Sequence, residues 1–153
     1  MYDEGMIVFL DIDGVLHPEP CYDKAQFFIF LPRLERVLRE FPQAQVVISS
    51  TWRHNRTLAQ LRDIFSPDIA ERVVDVTPRW STLPELMESI GYQRHAEIEG
   101  WIRKSGKPWQ PWVAIDDKPY LYKPFLRNLI KTDSLAGFDE NAENLLRGKL
   151  MLE

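Results

Sequence analysis

Residues 6–10 form an unbroken apolar run, Met-Ile-Val-Phe-Leu, and two aspartates, Asp11 and Asp13, follow it at once. The run is too short for a helix and shows no polar alternation, so it reads as a strand buried on both faces. Such strands belong to parallel sheets covered by helices on both sides, which confines the chain to the α/β class. In extended backbone, residues two apart point the same way, so the two carboxylates are expected to face one small volume. Gly14 lets the backbone turn tightly just beyond them. Like charges that close need a cation or a shared proton between them, which makes the pair a candidate metal and phosphate site. An isolated Asp-x-Asp is more often a solvated turn or a helix cap. The strand ahead of this one shifts the reading, because parallel sheets bind ligands at the carboxyl ends of their strands.

The rest of the chain alternates strand and helix. Leu31, Leu34, Val37, Leu38 and Phe41 recur at helical spacing, with Pro32 tolerated in the first turn and Pro42 as the stop. Residues 46–48 form a second apolar strand that runs into Ser49, Ser50, Thr51, Trp52 and Arg53. Leu58, Leu61, Ile64 and Phe65 predict a second helix, and residues 73–76 a third strand. Leu83, Leu86, Met87 and Ile90 predict a helix stopped by Gly91; Ile98, Trp101 and Ile102 predict another that stops near Gly106. Residues 112–115 read as a fourth strand ending in Asp116 and Asp117, and residues 129–130 as a short fifth. Phe138, Ala142, Leu145 and Leu146 mark a closing helix, with Asp139 near its start. This pattern predicts a doubly wound parallel sheet of about five strands with helices on both faces. No repeat, low-complexity tract or long linker divides the 153 residues, so a single domain is expected. The irregular stretch from residue 92 to 112 reads as helix plus loop.

A hydrophobic content of 44% suffices for a packed interior and argues against disorder. The single Cys21 excludes an internal disulfide and fits a reducing compartment. No segment approaches the roughly 20 apolar residues of a membrane span. Residues 1–4 show no export-type signal, so a cytoplasmic protein without membrane association is expected. The net charge of −4 gives no general attraction to nucleic acid, though a local basic surface remains compatible with it.

Three predicted strands thus end in groups suited to phosphate and a hard cation: Asp11 with Asp13, residues 49–53, and Asp116 with Asp117. Mg²⁺ prefers oxygen ligands and takes one or two carboxylates beside water and substrate phosphate. Hydroxyls and backbone amides after the second strand are suited to donate to phosphoryl oxygens. Phosphoryl transfer needs chiefly positioning and charge neutralisation, which this inventory can provide.

The chain resembles the haloacid dehalogenase-like (HAD) phosphohydrolases. Leu10-Asp11-Ile12-Asp13-Gly14-Val15 is similar to their first motif, Val46-Val47-Ile48-Ser49 to the second, and Ala114-Ile115-Asp116-Asp117 to the fourth. The run Ser50, Thr51, Trp52, Arg53 further resembles the HAD domains of Swiss-army-knife RNA repair proteins. The resemblance implies that Asp11 is the nucleophile and forms an aspartyl-phosphate. Asp13 then protonates the leaving oxygen and activates water, while its backbone carbonyl binds Mg²⁺. Ser49, or its neighbour Ser50, bonds the phosphoryl group; Gly14, Thr51, Trp52 and Arg53 are further candidates for substrate contact. Asp117 is the expected direct metal ligand, with Asp116 behind it or in its place. The third motif requires a basic residue near the start of the helix before the fourth strand; Arg94 fits, with Lys104 and Lys107 as competitors on charge.

No interval between the motifs holds an extra domain, so no large cap is expected over the site. Capless relatives act on bulky phosphate esters, which implies a phosphorylated small molecule or macromolecular end, nucleic acid included, as partner. Trp52, Arg53, His54, Arg56, Arg79 and Trp80 could stack on bases or pair with phosphate, although an isolated Trp more often packs. Trp109 and Trp112, beside a strand, are expected to pack. His17, before a proline, reads as a loop residue that could touch substrate, and Cys21 as an unreactive thiol. Two other classes share part of this pattern: a receiver-type phosphoacceptor domain, whose acidic pair is adjacent after the first strand, and a non-catalytic phosphate- or partner-binding HAD-like domain.

Overall fold

The computed structural model describes residues 5–151; the export-signal reading of residues 1–4 lies outside them. Strands β1 (Ile7–Leu10), β2 (Gln45–Ile48), β3 (Val73–Val76), β4 (Trp112–Asp116) and β5 (Leu129–Lys131) form one sheet in the order β3-β2-β1-β4-β5. Every neighbouring pair is parallel. The helices are α1 (Leu31–Glu40), α2 (Leu58–Arg62), α3 (Pro67–Ala70), α4 (Pro84–Ile90), α5 (Gln93–Ser105) and α6 (Glu140–Met151). No large cap stands among them. No described helix is long and apolar enough to cross a membrane.

The period of two along each strand sorts the core into two layers. Val8, Leu10, Val46, Ile48, Val113 and Ile115 face the larger one, with Leu34 and Leu38 of α1, Leu61 of α2, Ile69 of α3 and Leu146 of α6. Ile7, Phe9, Val47 and Ala114 face the other, where Ile98 and Ile102 of α5 meet Tyr122. One long helix thus covers the face that the site will use. Each fully buried Leu or Ile contributes roughly 1.5–3 kcal/mol, so the larger layer carries most of the stability.

Three packing expectations are corrected. No residue of α4 is buried, because α4 rests on α5 and not on the sheet, and its Leu83, Leu86, Met87 and Ile90 stripe is half covered. Leu145 is 45% exposed; the buried stripe of α6 is Ala142, Leu146 and Leu150, and Leu145 lies one residue off it. Trp109 is 71% exposed in the loop before β4. Trp112 does pack, edge to face on Phe9 with ring centroids 5.7 Å apart.

Candidate active site

Strand order reverses at β1, with β2 and β3 on one side and β4 and β5 on the other. The crevice at such a reversal is where open α/β sheets place their ligands. Backbone bonds continue the ladder past the strand ends: Asp11 N–H donates to Ile115 O (3.1 Å), Ser49 N–H to Leu10 O (2.9 Å) and Thr77 N–H to Ile48 O (3.0 Å). Thr77, Ser49, Asp11 and Asp116 therefore line up along one rim. Leu10, Ile48 and Ile115 face the larger core, so alternation turns the residues that follow toward the α5 face.

Carboxylate oxygens of Asp11, Asp116 and Asp117, all three buried, lie within 4.8 Å of one another. Arg94, at the start of α5, reaches between them. Its Nη1 donates to Asp116 Oδ2 at 2.8 Å and lies 3.4 Å from Asp11 Oδ1. Asp116 also accepts from Tyr122 Oη (2.8 Å) and from the Lys118 N–H (3.0 Å), so its oxygens are well occupied. Asp117 accepts from Ser134 Oγ (2.8 Å), and Lys118 Nζ lies 3.3 Å away. Lys104 and Lys107 lie at the other end of α5 or beyond it; Lys104 is ten residues on from Arg94, about 15 Å along the axis.

The charges in this cluster are unbalanced. Burial, then the Asp116 and Asp117 carboxylates, push Asp11 well above the ordinary carboxylate range, and Arg94 offsets this only in part. Burial alone would raise Asp117 as well, but the Ser134 hydroxyl and the Lys118 ammonium outweigh it and hold it below its usual value. Burial works against the charge on Arg94, yet Asp116 and Asp11 more than compensate, so it stays a cation. Three carboxylates, a set of oxygen donors that suits Mg²⁺, thus face Arg94 and a Lys118 shared with Glu19 Oε2 (2.6 Å). Three buried polar atoms on or beside this rim lack a hydrogen-bond partner among the described residues: Ser49 Oγ, Thr77 Oγ1 and Arg94 Nε, the last lying 4.0 Å from Glu97 Oε1. Buried donors left unbonded are rare and costly, so their grouping fits a site that receives a ligand's oxygens.

Asp13 departs from the expected arrangement. β1 ends at Leu10, and beyond it the Asp11 and Asp13 carboxylates meet different groups. The Asp13 carboxylate lies outside the cluster that Asp11 forms with Asp116 and Asp117. Asp13 Oδ1 is 2.7 Å from His17 Nε2, and its Oδ2 accepts from Trp52 Nε1 at 3.0 Å. The Phe28 N–H donates to His17 Nδ1 (3.4 Å), which assigns the ring proton to Nε2 and makes it the donor to Asp13. The His17 bond, helped by Trp52, holds Asp13 below its usual value although burial opposes this.

The remaining candidates divide between support and surface. Gly14 has φ +77°, and Asp117 Oδ2 packs where a side chain would begin, so no other residue fits there without displacing Asp117. Its N–H is already donated to His17 O (2.9 Å), which corrects the expectation of substrate contact. Ser50 is buried and its Oγ caps the following turn by accepting from Trp52 N–H (3.2 Å); this separates it from the unpartnered Ser49. Thr51 is exposed. Trp52 is tied to Asp13, and the Arg56 guanidinium lies 4.0 Å over its ring, so it is a wall residue. Arg53 is not available to substrate. It is buried and donates to Thr77 O (2.8 Å), Ser49 O (3.1 Å), Ser50 O (2.9 Å) and Pro78 O (3.3 Å), with its Nη2 2.7 Å from Glu97 Oε2. It clamps the ends of β2 and β3.

Glu97, Lys118 and Tyr122 escape the sequence reading as parts of the site, and His17 enters it only as a loop residue that could touch substrate. His17 follows Asp13 by four residues and Lys118 directly follows the acidic pair, so both left a local trace. Glu97 and Tyr122 meet the site only through tertiary packing.

A parallel sheet with a carboxylate cluster at the β1 and β4 ends, a hydroxyl at the β2 end and an arginine opening the helix before β4 defines an HAD-like domain. Within that class, the chain belongs to the family described as the HAD domain in Swiss Army Knife RNA repair proteins, whose profile matches residues 7–142. No curated protein and no solved structure matches it. The family suggests phosphohydrolase chemistry, and the buried acidic cluster could hold a divalent cation.

Proposed function

We propose that the protein is a Mg²⁺-dependent phosphohydrolase that cleaves a phosphomonoester through a phosphorylated Asp11. The observation that carries this reading is Asp11, buried beneath the rim among Asp116, Asp117 and Arg94. Asp11 and Asp117 would hold Mg²⁺, with Asp116 behind them. Bound there, the ion would screen the charge of the phosphoryl group and favour the carboxylate form of Asp11.

The chain's own groups divide the remaining work. An Asp11 oxygen bonds to phosphorus as the ester P–O bond breaks. The departing oxygen takes a proton from the Asp13 carboxyl group. Asp13, now a carboxylate, accepts a proton from water while the water oxygen bonds to phosphorus and the Asp11–phosphorus bond breaks. Inorganic phosphate leaves and Asp13 is protonated again. Ser49 Oγ and the Arg94 guanidinium donate to the phosphoryl oxygens. The lowered proton affinity of Asp13 keeps it ionised in the free protein, and an approaching phosphate dianion raises that affinity toward the protonated form that the first step needs.

With no cap over the rim, a macromolecular end can reach Asp11 as readily as a small molecule. The family description names RNA repair proteins, which favours a phosphorylated nucleic-acid end over a phosphoprotein. The test is a screen of phosphate esters, including 3′- and 5′-phosphorylated oligonucleotides, with and without Mg²⁺. Phosphate release that needs both Mg²⁺ and Asp11 is expected. No release from any ester would replace the enzyme with a phosphate-binding domain.

A further inference from the structure

We propose that His17 and Trp52 are positioning residues that fix the Asp13 carboxylate for proton transfer, and that this clamp suits the site to phosphate esters of alkyl alcohols, such as sugar hydroxyls. The inference rests on the reading of the site as a phosphohydrolase. Asp13 is the outer of the two aspartates, with 34% of its side chain exposed against 4% for Asp11. A free carboxylate at that depth would rotate. Here His17 Nε2 holds one oxygen at 2.7 Å and Trp52 Nε1 holds the other at 3.0 Å. A carboxylate offers about four acceptor positions, so two remain for a proton shared with substrate.

His17 cannot itself reach a substrate, because it is 1% exposed. Its ring stacks on Phe27 with centroids 4.9 Å apart and leans on Trp52 at 5.7 Å. Its second nitrogen is held by the Phe28 N–H, and Phe28 adopts φ +62°, a conformation that non-glycine residues take only when their surroundings demand it. A backbone turn is thus spent on setting the tautomer of a buried imidazole whose other bond goes to Asp13. Packing alone would be served by an apolar ring. A carboxylate held at both oxygens delivers its proton along one line, and that matters most when the departing oxygen is basic. Aryl leaving groups depart with little help, whereas alkyl alkoxides require the acid.

The test compares kcat/KM across phosphate monoesters from aryl to alkyl, with Mg²⁺, for wild type, His17→Phe, His17→Gln and Trp52→Phe. This quantity reports the phosphorylation of Asp11 and excludes the later water step. His17→Phe keeps the stacking volume and removes the donor; it is expected to lose about 100-fold on alkyl esters and several-fold on aryl esters, steepening the dependence on leaving-group basicity. Trp52→Phe should steepen it in the same sense, and His17→Gln, which keeps an N–H donor, should recover part of the loss. Equal losses across the series, or no recovery in His17→Gln, overturn the clamp while leaving the phosphohydrolase standing. A wild-type protein inactive on every ester overturns both.

Discussion

Asp11 and Asp13 are two residues apart, yet their surroundings push protons in opposite directions. Asp11 sits on a buried floor crowded by Asp116 and Asp117, and its proton affinity rises. Asp13 stands at the rim between two N–H donors, and its proton affinity falls. Pairs of titratable groups driven apart in this way mark a division of acid, base and nucleophile roles. The floor disfavours the Asp11 carboxylate, and positive charge that enters it favours that form again. The rim keeps Asp13 in one orientation whatever occupies the floor. The two halves are also supported by different chain. The floor leans on α5 through Arg94, and the rim on the loop after β1 through His17.

The largest effect that separates them comes from Asp11→Asn. It should remove turnover of aryl and alkyl esters alike, by a factor on the order of 10⁴ or more, since no other group can take the phosphoryl bond. Circular dichroism should show the fold intact. Retained activity would move the nucleophile elsewhere and dissolve the contrast. Asp13→Asn comes next. A general acid contributes about 10²–10⁴-fold, so alkyl esters should fall by that range and aryl esters by much less. With the water step impaired, phosphorylated Asp11 should accumulate and be seen as a mass increase on the intact protein; a variant that never carries it would deny Asp13 the second role.

Arg94 sharpens the contrast from the floor side. Arg94→Met leaves Asp116 buried without its cation, which typically destabilises a protein by about 3–5 kcal/mol, and removes a phosphoryl donor worth about 10²–10³-fold in rate. Arg94→Lys should recover part of both as a point charge in the same place. Thermal melts and initial rates check this. If Arg94→Met cost neither stability nor rate, the arginine would be an ordinary helix residue.

The parts of this arrangement legible in the sequence are those fixed by local pattern. β1 and β4 announce themselves as apolar runs, and the acids that follow them fall on one rim because a parallel ladder aligns strand ends. Arg94 could be placed because a helix start before β4 must face that rim. The direction of Asp13 was not legible. The parity rule belongs to regular strand, and both aspartates lie beyond the end of β1 at Leu10. Arg53 was misjudged for a related reason. A basic residue beside a phosphate site suggests substrate, but the carbonyls left bare where β2 and β3 end need donors too, and a buried arginine meets several at once.

The smallest effect is the most direct probe of the floor, and it needs no substrate. Asp11 has a raised affinity for its proton in the folded, metal-free protein, so the fold binds that proton more tightly than the unfolded chain does. Its contribution to stability is therefore present at low pH and is lost as pH rises through the raised value. Asp13 and Asp117 carry the opposite sign: their contribution is present above the ordinary carboxylate value and is lost as pH falls through their lowered ones. Between pH 5 and pH 8 both lowered groups stay ionised, and His54 and His95, whose proton affinity burial lowers, titrate in wild type and variant alike, so the difference between Asp11→Asn and wild type over that window belongs to Asp11. Asp11→Asn should consequently gain on wild type in metal-free melting temperature as pH rises, by about 2–4 °C for each kcal/mol of repulsion relieved. Mg²⁺ at about 100 times its dissociation constant stabilises by roughly 2.7 kcal/mol, and at one fixed concentration it should raise the wild-type melting temperature more at pH 8 than at pH 5, because less of the Asp11 proton remains to be displaced. Asp11→Asn should lose most of that Mg²⁺ response. A wild type that gains equally from Mg²⁺ at both pH values would show that the ion and the Asp11 proton do not compete for the same oxygens.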